Sequence, residues 1–283
     1  MFWVHTKQKP LFLRRRLGRR LRALRESAGL SMDEAAARLE MSRTSLFRVE
    51  SGEYKANVHL IRSMMDLYDS YVEDLLDQAR EALKPRWYHQ CSSADMGYVD
   101  VETEAVMVRE FSGLNLPGLL QTEPYMRAVF ARHPLHRTAK KLEDDVAVRR
   151  IRQRRLTNDD EPLELVAIVD EAALRRRVGS VDVMRGQLEH LVESAELPTV
   201  TLQVLPLRDG AHSATDGAFI LLTFPEDYNP EMLYVEYITG ALHIEDAKQV
   251  RACNMVFDRL RTEALGPADS VALIEQVRVE LDD

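Results

Sequence analysis

Two serines, Ser31 and Ser42, constrain the first third of this chain more than any other feature. Each stands where an α-helix can start with its first amides satisfied by a hydroxyl. Ser31 is followed by Asp33 and Glu34, acids that favour a helix N-terminus, and Glu34 sits at capping-box spacing. Ser42 opens a second helix from Arg43 to about Glu50, which Ser51-Gly52 ends. Ala35, Ala36 and Leu39 form the apolar face of one helix, Leu46 and Val49 that of the other. The small Ala35 and Ala36 let the pair cross closely. Before it, Leu17, Leu21 and Leu24 recur at i, i+4, i+7 and define a first helix, with Gly29 placed to turn the chain at its end. After it, Asn57 starts a helix carrying Leu60, Ile61, Met64 and Leu67, and Tyr71 to Lys84 another carrying Val72, Leu75, Leu76, Ala79 and Leu83. Pro85 stops the series. The expectation is an all-α five-helix domain over 14–84.

The pattern then changes. Trp87 to Val101 is polar and short-patterned and reads as a linker. Glu102–Phe111, Glu123–Arg132 and Leu142–Leu156 look helical, the last rich in arginine. Leu163–Val169 is an apolar run bounded by turn signals, hence a buried strand, and Asp170 caps the helix after it. Val183–Ala195 is amphipathic. Val200–Leu205, Ala218–Phe224 and Leu233–Tyr237 are β-rich runs separated by turn material such as Asp209-Gly210 and Asp227-Tyr228-Asn229-Pro230. Helices at Asp246–Leu265 and Asp269–Leu281 follow. The fold class expected is multidomain: the helical domain, then a mixed α/β domain of about four strands with helices over 100–283.

Composition fits two domains: 283 residues, 45% apolar and 30% charged. The longest apolar runs, such as Phe219-Ile220-Leu221-Leu222, are far below the ~18 residues of a membrane span. Leu11-Phe12-Leu13 is too short for a signal peptide. Cys91 and Cys253 lie far apart without a CxxC spacing and suit a reducing compartment, so a cytoplasmic location is expected. The net charge of −8 argues at first against a nucleic-acid partner, but its distribution argues for one. Residues 1–84 carry 16 basic and 12 acidic side chains, leaving 22 and 34 to the remainder. Lys7, Lys9, Arg14, Arg15, Arg16, Arg19, Arg20, Arg22 and Arg25 follow one another with no acid between them. Such a stripe either neutralises phosphates or is an ordinary solvated helix face. An acidic remainder favours contact through one end of the chain only.

Two helices joined by a tight turn read DNA when the second lies in the major groove. With Leu46 and Val49 inward, Arg43, Thr44 and Arg48 occupy the opposite face. The guanidinium fork suits guanine O6 and N7, and the threonine methyl suits thymine. Leu30-Ser31, Ala36, Leu39, Ser42-Arg43-Thr44-Ser45, Arg48-Val49-Glu50 and Gly52 together resemble XRE-type (Cro/repressor-like) helix-turn-helix regulators. The resemblance implies a dimer on a palindromic operator in double-stranded DNA, with Arg43, Thr44 and Arg48 reading bases. It places Arg19, Arg22, Ser42, Ser45 and Lys55 at phosphates, and pairs Arg25 with Glu50 as a structural ion pair. Two positions depart from the family pattern. Met32 replaces a glutamine that helps clamp the DNA backbone, and Glu40 replaces the turn glycine and must take a left-handed conformation at about 1 kcal/mol.

The remainder carries a second resemblance. Leu116-Pro117-Gly118-Leu119-Leu120-Gln121-Thr122, Val148-Arg149 with Arg154, Val169-Asp170-Glu171-Ala172-Ala173-Leu174-Arg175-Arg176, Gln187-Leu188, Pro198-Thr199-Val200-Thr201, Gln203-Val204-Leu205-Pro206, and Tyr234-Val235-Glu236 with Thr239-Gly240 are similar to a C-terminal domain of unknown function. That domain occurs in actinobacterial WhiJ-like, antitoxin-like regulators. The resemblance implies a small partner protein from a neighbouring gene and brings no catalytic residues.

Other constellations are weaker. Asp170-Glu171 is either an acidic metal site or an N-cap with a first-turn acid; His212 and His243 lack metal-ligand spacing. No GxSxG, phosphate-cradling glycine loop or CxxC is present, so no enzyme, cofactor or metal is expected. Leu116–Tyr125 reads as a buried connection between helices or as one wall of a ligand or partner groove. The basic helix Arg149–Arg155 pairs within its own domain, binds a partner or touches phosphate. The function expected is transcriptional regulation by sequence-specific DNA binding, with the second domain for dimerisation and control by the small partner. The alternatives are an antitoxin-like protein that neutralises that partner and autoregulates its operon, and a ligand-gated sensor.

Overall fold

The computed structural model describes residues 12–85, 87–90, 96–132, 138–225, 231–238 and 240–281; Lys7, Lys9, Cys91, the turn at 227–230 and Thr239 lie outside them. The chain divides into two compact units, Met1–His89 and Gln90–Asp283.

The first unit is helical: α1 (Phe12–Ser27), α2 (Met32–Arg38), α3 (Arg43–Glu50), α4 (Val58–Leu67) and α5 (Glu73–Leu83). The helix starts are set by side chains. Ser31 and Glu34 form a complete capping box, and Ser42 and Asn57 accept the amides of Ser45 and Leu60. Leu17, Leu21, Leu46, Ile61, Met64 and Leu75 fill the core, whereas Leu83 is 38% exposed. Two glycines are needed for close approach. A Cβ on Gly18 would sit 2.4 Å from the Glu50 carbonyl oxygen, so α1 crosses α3 backbone to backbone. Gly52, at φ +76°, ends α3 and would bring a Cβ within 2.6 Å of the Arg15 amide. Gly29 takes φ +70° after α1, and Glu40 takes φ 53° in the turn between α2 and α3.

The second unit contains α6 (Met96–Thr103), β1 (Met107–Ser112), α7 (Glu123–Ala131), α8 (Ala139–Gln153), β2 (Glu164–Asp170), α9 (Glu171–Arg175), α10 (Val181–Ser194), β3 (Val200–Leu205), β4 (Phe219–Thr223), β5 (Met232–Tyr237), β6 (Gly240–Ile244), α11 (Ala247–Glu263) and α12 (Pro267–Glu280). Among the described residues one six-stranded sheet has the order β3-β2-β1-β4-β5-β6. β1, β2 and β3 are parallel; β4 runs antiparallel to β1, and β5 and β6 continue antiparallel. Phe111, Ile168, Phe219, Leu221 and Leu233 pack from one face onto Val250, Phe257 and Leu260 of α11. Tyr234, next to Leu233, therefore points to the other face, where it meets Tyr98 of α6. The β3 edge is closed: the Val204 amide donates to Ser270 Oγ at 2.9 Å, and its carbonyl accepts from Leu265 at 2.9 Å.

The sheet corrects the sequence expectation of about four strands in two places. The span Glu102–Phe111, expected to be helical, splits at Thr103, and its second half is the central strand β1. Arg109 and Glu110 disguise it, because a central strand ordinarily reads as apolar. Arg109 is accommodated by partners from outside the strand and Glu110 by a hydroxyl two residues on, on the same face. Arg109 donates to Glu231 at 2.7 Å and lies over Phe257, and Glu110 accepts from Ser112 Oγ at 2.8 Å. β6 was hidden by its edge position, where Leu242 is 49% exposed and no residue of the strand is fully buried. The expected linker Trp87–Val101 ends in α6, in which Tyr98, Val99 and Val101 are buried, so a second domain begun at residue 100 would cut a helix. Leu116–Tyr125 is a buried connection, but it joins β1 to α7 rather than two helices.

Candidate nucleic-acid interface

α3 is held at both ends. Ser42 Oγ accepts the Ser45 amide at 3.0 Å and lies 2.8 Å from Ser45 Oγ, which fixes the first turn. At the last turn Glu50, 5% exposed, receives two hydrogen bonds from Arg25 of α1, at 2.7 Å from Nε and 2.9 Å from Nη2. Arg25 Nη1 donates to the Leu30 carbonyl at 2.8 Å, tying α1, the following turn and α3 together. The Glu50 hydrogen bond holds the Arg25 guanidinium above its ordinary value. Removing one member of such a buried bidentate pair costs about 3–5 kcal/mol, because the other charge is left buried.

Leu46 and Val49 are buried, at 0% and 2% exposure, and turn the rest of α3 outward. Arg43, Thr44, Ser45, Phe47 and Arg48 are all exposed. Thr44, Phe47 and Arg48 share a face at i, i+3, i+4, and Arg43 is one turn before Phe47. Phe47 is 54% exposed, a large apolar ring amid polar groups, and sequence reasoning passed over it. The signal was available: with Leu46 and Val49 inward, helical geometry puts Phe47 between Arg43 and Arg48 on the outer surface. The two arginines meet only exposed acids, Arg43 with Asp33 at 3.4 Å and Arg48 with Glu53 at 3.8 Å. Exposed pairs of this kind are worth ~0–1 kcal/mol and give way readily to a stronger partner.

The remaining expected contact residues are placed unevenly. Lys55 is exposed. Arg22 is exposed but hydrogen-bonded to Glu26 at 2.7 Å. Arg19 is half-buried, and burial, reinforced by Arg15 and Arg16, lowers its pKa. Much of the basic stripe turns inward. Arg16 is 3% exposed, Arg20 grips Asp74 at 2.5 and 3.1 Å, and Arg14 reaches the Ala82 carbonyl at 3.4 Å. α1 therefore uses much of its positive charge to hold the domain together.

In the second unit Asp170 caps α9 through the Ala172 amide at 2.7 Å and meets His212 at 3.3 Å. Glu171 binds Arg175 at 2.6 Å and the Leu207 amide at 2.8 Å. The arginines of α8 and the turn after it bind within their own domain, Arg152 to Glu102 and Arg155 to the Glu102 and Ala105 carbonyls. Among the described residues no group of three potential metal ligands comes together, and no helix is long and apolar enough to cross a membrane.

The profile of a helix-turn-helix domain matches residues 16–79, a span that takes in α2 and α3. The profile of a domain of unknown function (DUF5753) matches residues 96–276, from α6 into α12. Neither the curated proteins nor the solved structures provided a match. The second profile covers more than half of the sequence: the chain belongs to the DUF5753 family, with a helix-turn-helix domain in front of the family domain.

Proposed function

We propose that this chain is a sequence-specific, DNA-binding transcriptional regulator of the XRE type, with α3 as its recognition helix. The observation that carries the reading is the outer face of α3, where Arg43, Thr44, Phe47 and Arg48 stand exposed on a helix clamped at both ends. Arg43 and Arg48 supply forks for guanine, Thr44 and Phe47 apolar surface for thymine methyls. Ser42, Ser45 and Lys55 flank the helix at phosphate positions, with Arg22 and Arg19 behind them. By resemblance to XRE-type regulators, the protein acts as a homodimer on a palindrome with half-sites about one helical turn apart. By resemblance to WhiJ-like regulators, the family domain serves assembly and response to a small partner protein. No catalytic role is assigned to it, and the protein works on DNA in the cytoplasm.

The test is selection of bound sites from random double-stranded DNA, followed by affinity measurements on the selected site. Arg43→Ala and Arg48→Ala should each cost about 1–3 kcal/mol on that site, and binding should weaken steeply with salt. Failure to enrich any sequence, or specific affinity unchanged in both variants, refutes the reading.

A further inference from the structure

The family domain, taken by itself, holds a groove of about 550 Å³ between α6, the 115–121 turn, α8 and the β5–β6 hairpin. That volume is within the ~300–1,000 Å³ of small-molecule sites. One wall is a single face of α8, where Asp145, Val148, Arg149 and Arg152 follow at i, i+3, i+4, i+7. The opposite wall is Glu236 and Tyr237 of β5 with His243 of β6.

Its polar groups are positioned before any ligand arrives. Arg149 Nη1 donates to Gln121 Oε1 at 2.6 Å, and its guanidinium lies 4.6 Å from the centre of the Phe130 ring. Gln121 is itself buried and donates to the Leu116 carbonyl at 2.7 Å, so the amide that orients Arg149 cannot swing away. Arg152 is matched bidentately by Glu102 at 2.6 and 2.7 Å, both nearly inaccessible. It stands 4.9 Å over Tyr98. Tyr98 and Tyr234 pack at 4.6 Å, and His243 meets Tyr234 at 5.1 Å, giving an aromatic floor.

With Arg152 matched by Glu102, the lining still carries both signs: Arg149 on the α8 wall and Glu236 on the opposite one. A guest with one charge is repelled by part of the wall, whereas one carrying an anion and a cation meets a partner for each. We infer that this groove binds a small zwitterionic molecule with a flat apolar body. Its carboxylate is directed to Arg149, its ammonium to the exposed Glu236, and its ring to the half-exposed Tyr237. The inference is independent of what the helix-turn-helix domain binds.

Isothermal titration of the full-length chain tests it, with L-phenylalanine, L-tyrosine and L-tryptophan as probes. The controls are N-acetyl-L-tryptophan, which lacks the ammonium, and L-tryptophanamide, which lacks the carboxylate. At least one free amino acid should bind, and the control made from tryptophan should be weaker by about tenfold or more for either missing charge. Arg149→Met should erase the preference for a free carboxylate, and Glu236→Gln that for a free ammonium. Glu236 is exposed, so its substitution keeps the test valid if the Arg149 variant unfolds. No heat with any of the three amino acids at millimolar concentration overturns the inference, as does a control that binds as tightly as L-tryptophan or an unchanged preference in the Glu236 variant.

Discussion

Glu110 should make the family domain less stable as pH rises, and replacing it with glutamine should remove that dependence. Its carboxyl group sits on the central strand β1, between Ala167 of β2 and Ile220 of β4. Burial pushes its pKa up from 4.5 to about 7. The Ser112 hydroxyl lowers it, Glu102 raises it, and Arg152 and Arg149 lower it, so the desolvation of the carboxylate prevails. The folded state therefore holds this proton more tightly than the unfolded chain. The stability it confers is complete below about pH 4.5 and is lost as pH rises through about 7. The gap between those values corresponds to at most about 3 kcal/mol. A half-buried side chain retains some hydration, so the expected loss is about 1–3 kcal/mol. Glu110→Gln keeps the shape and can still accept from Ser112. It should match the wild type at about pH 4 and be more stable by about that 1–3 kcal/mol at about pH 8. Urea unfolding of the full chain, read by pulsed hydrogen exchange at fixed labelling pH in peptides of β1 and β2, isolates this domain from the helical one. A wild-type-minus-variant difference that stays constant with pH refutes the reasoning.

Two further outcomes concern the helical domain. Glu40 holds φ 53° in the turn before α3, so Glu40→Gly should stabilise that domain by about 1 kcal/mol, roughly 4–8 °C in thermal unfolding; a lowered midpoint contradicts it. Phe47→Ala should weaken binding to the selected DNA site by about 1 kcal/mol, and replacing the contacted thymine with uracil should cost the variant nothing further. Additive losses in that double cycle would remove Phe47 from the thymine-reading role.

What was legible in the sequence was whatever local chemistry sets. Ser31, Ser42, Asn57, Thr122 and Asp170 accept the amides that their positions suggested, because an N-cap needs only a partner two or three residues on. The first domain is made of such short-range decisions, and its five helices follow from them. β1 could not be read that way. Arg109 is tolerable in a central strand because Glu231 and Phe257 reach it from distant parts of the chain, and Glu110 because burial keeps its carboxyl group protonated up to about pH 7 beside the Ser112 hydroxyl. The same holds for the basic stripe, where charge counting sees Arg16, Arg20 and Arg25 as a surface while the fold turns them toward the core, Asp74 and Glu50. Arg43, Thr44 and Arg48 were found because two buried neighbours fix the face they occupy. Arg149 with Gln121, and Tyr98 with Tyr234, were not, since nothing in sequence spacing brings those pairs together.

The position of β1 also bears on how the family domain is made. It is the seam between the parallel and antiparallel halves of the sheet, pairing Met107 with Glu164 on one side and with Thr223 on the other. A ribosome delivers these segments in order, so the first side can zip up while the second still lies within the synthesis machinery. During that interval the edge that Phe111 will later share with Phe219 remains unpaired. The helical domain, with its neighbours near in sequence, can be finished by then, and it precedes a slower half whose open strand edge is a hazard for self-association.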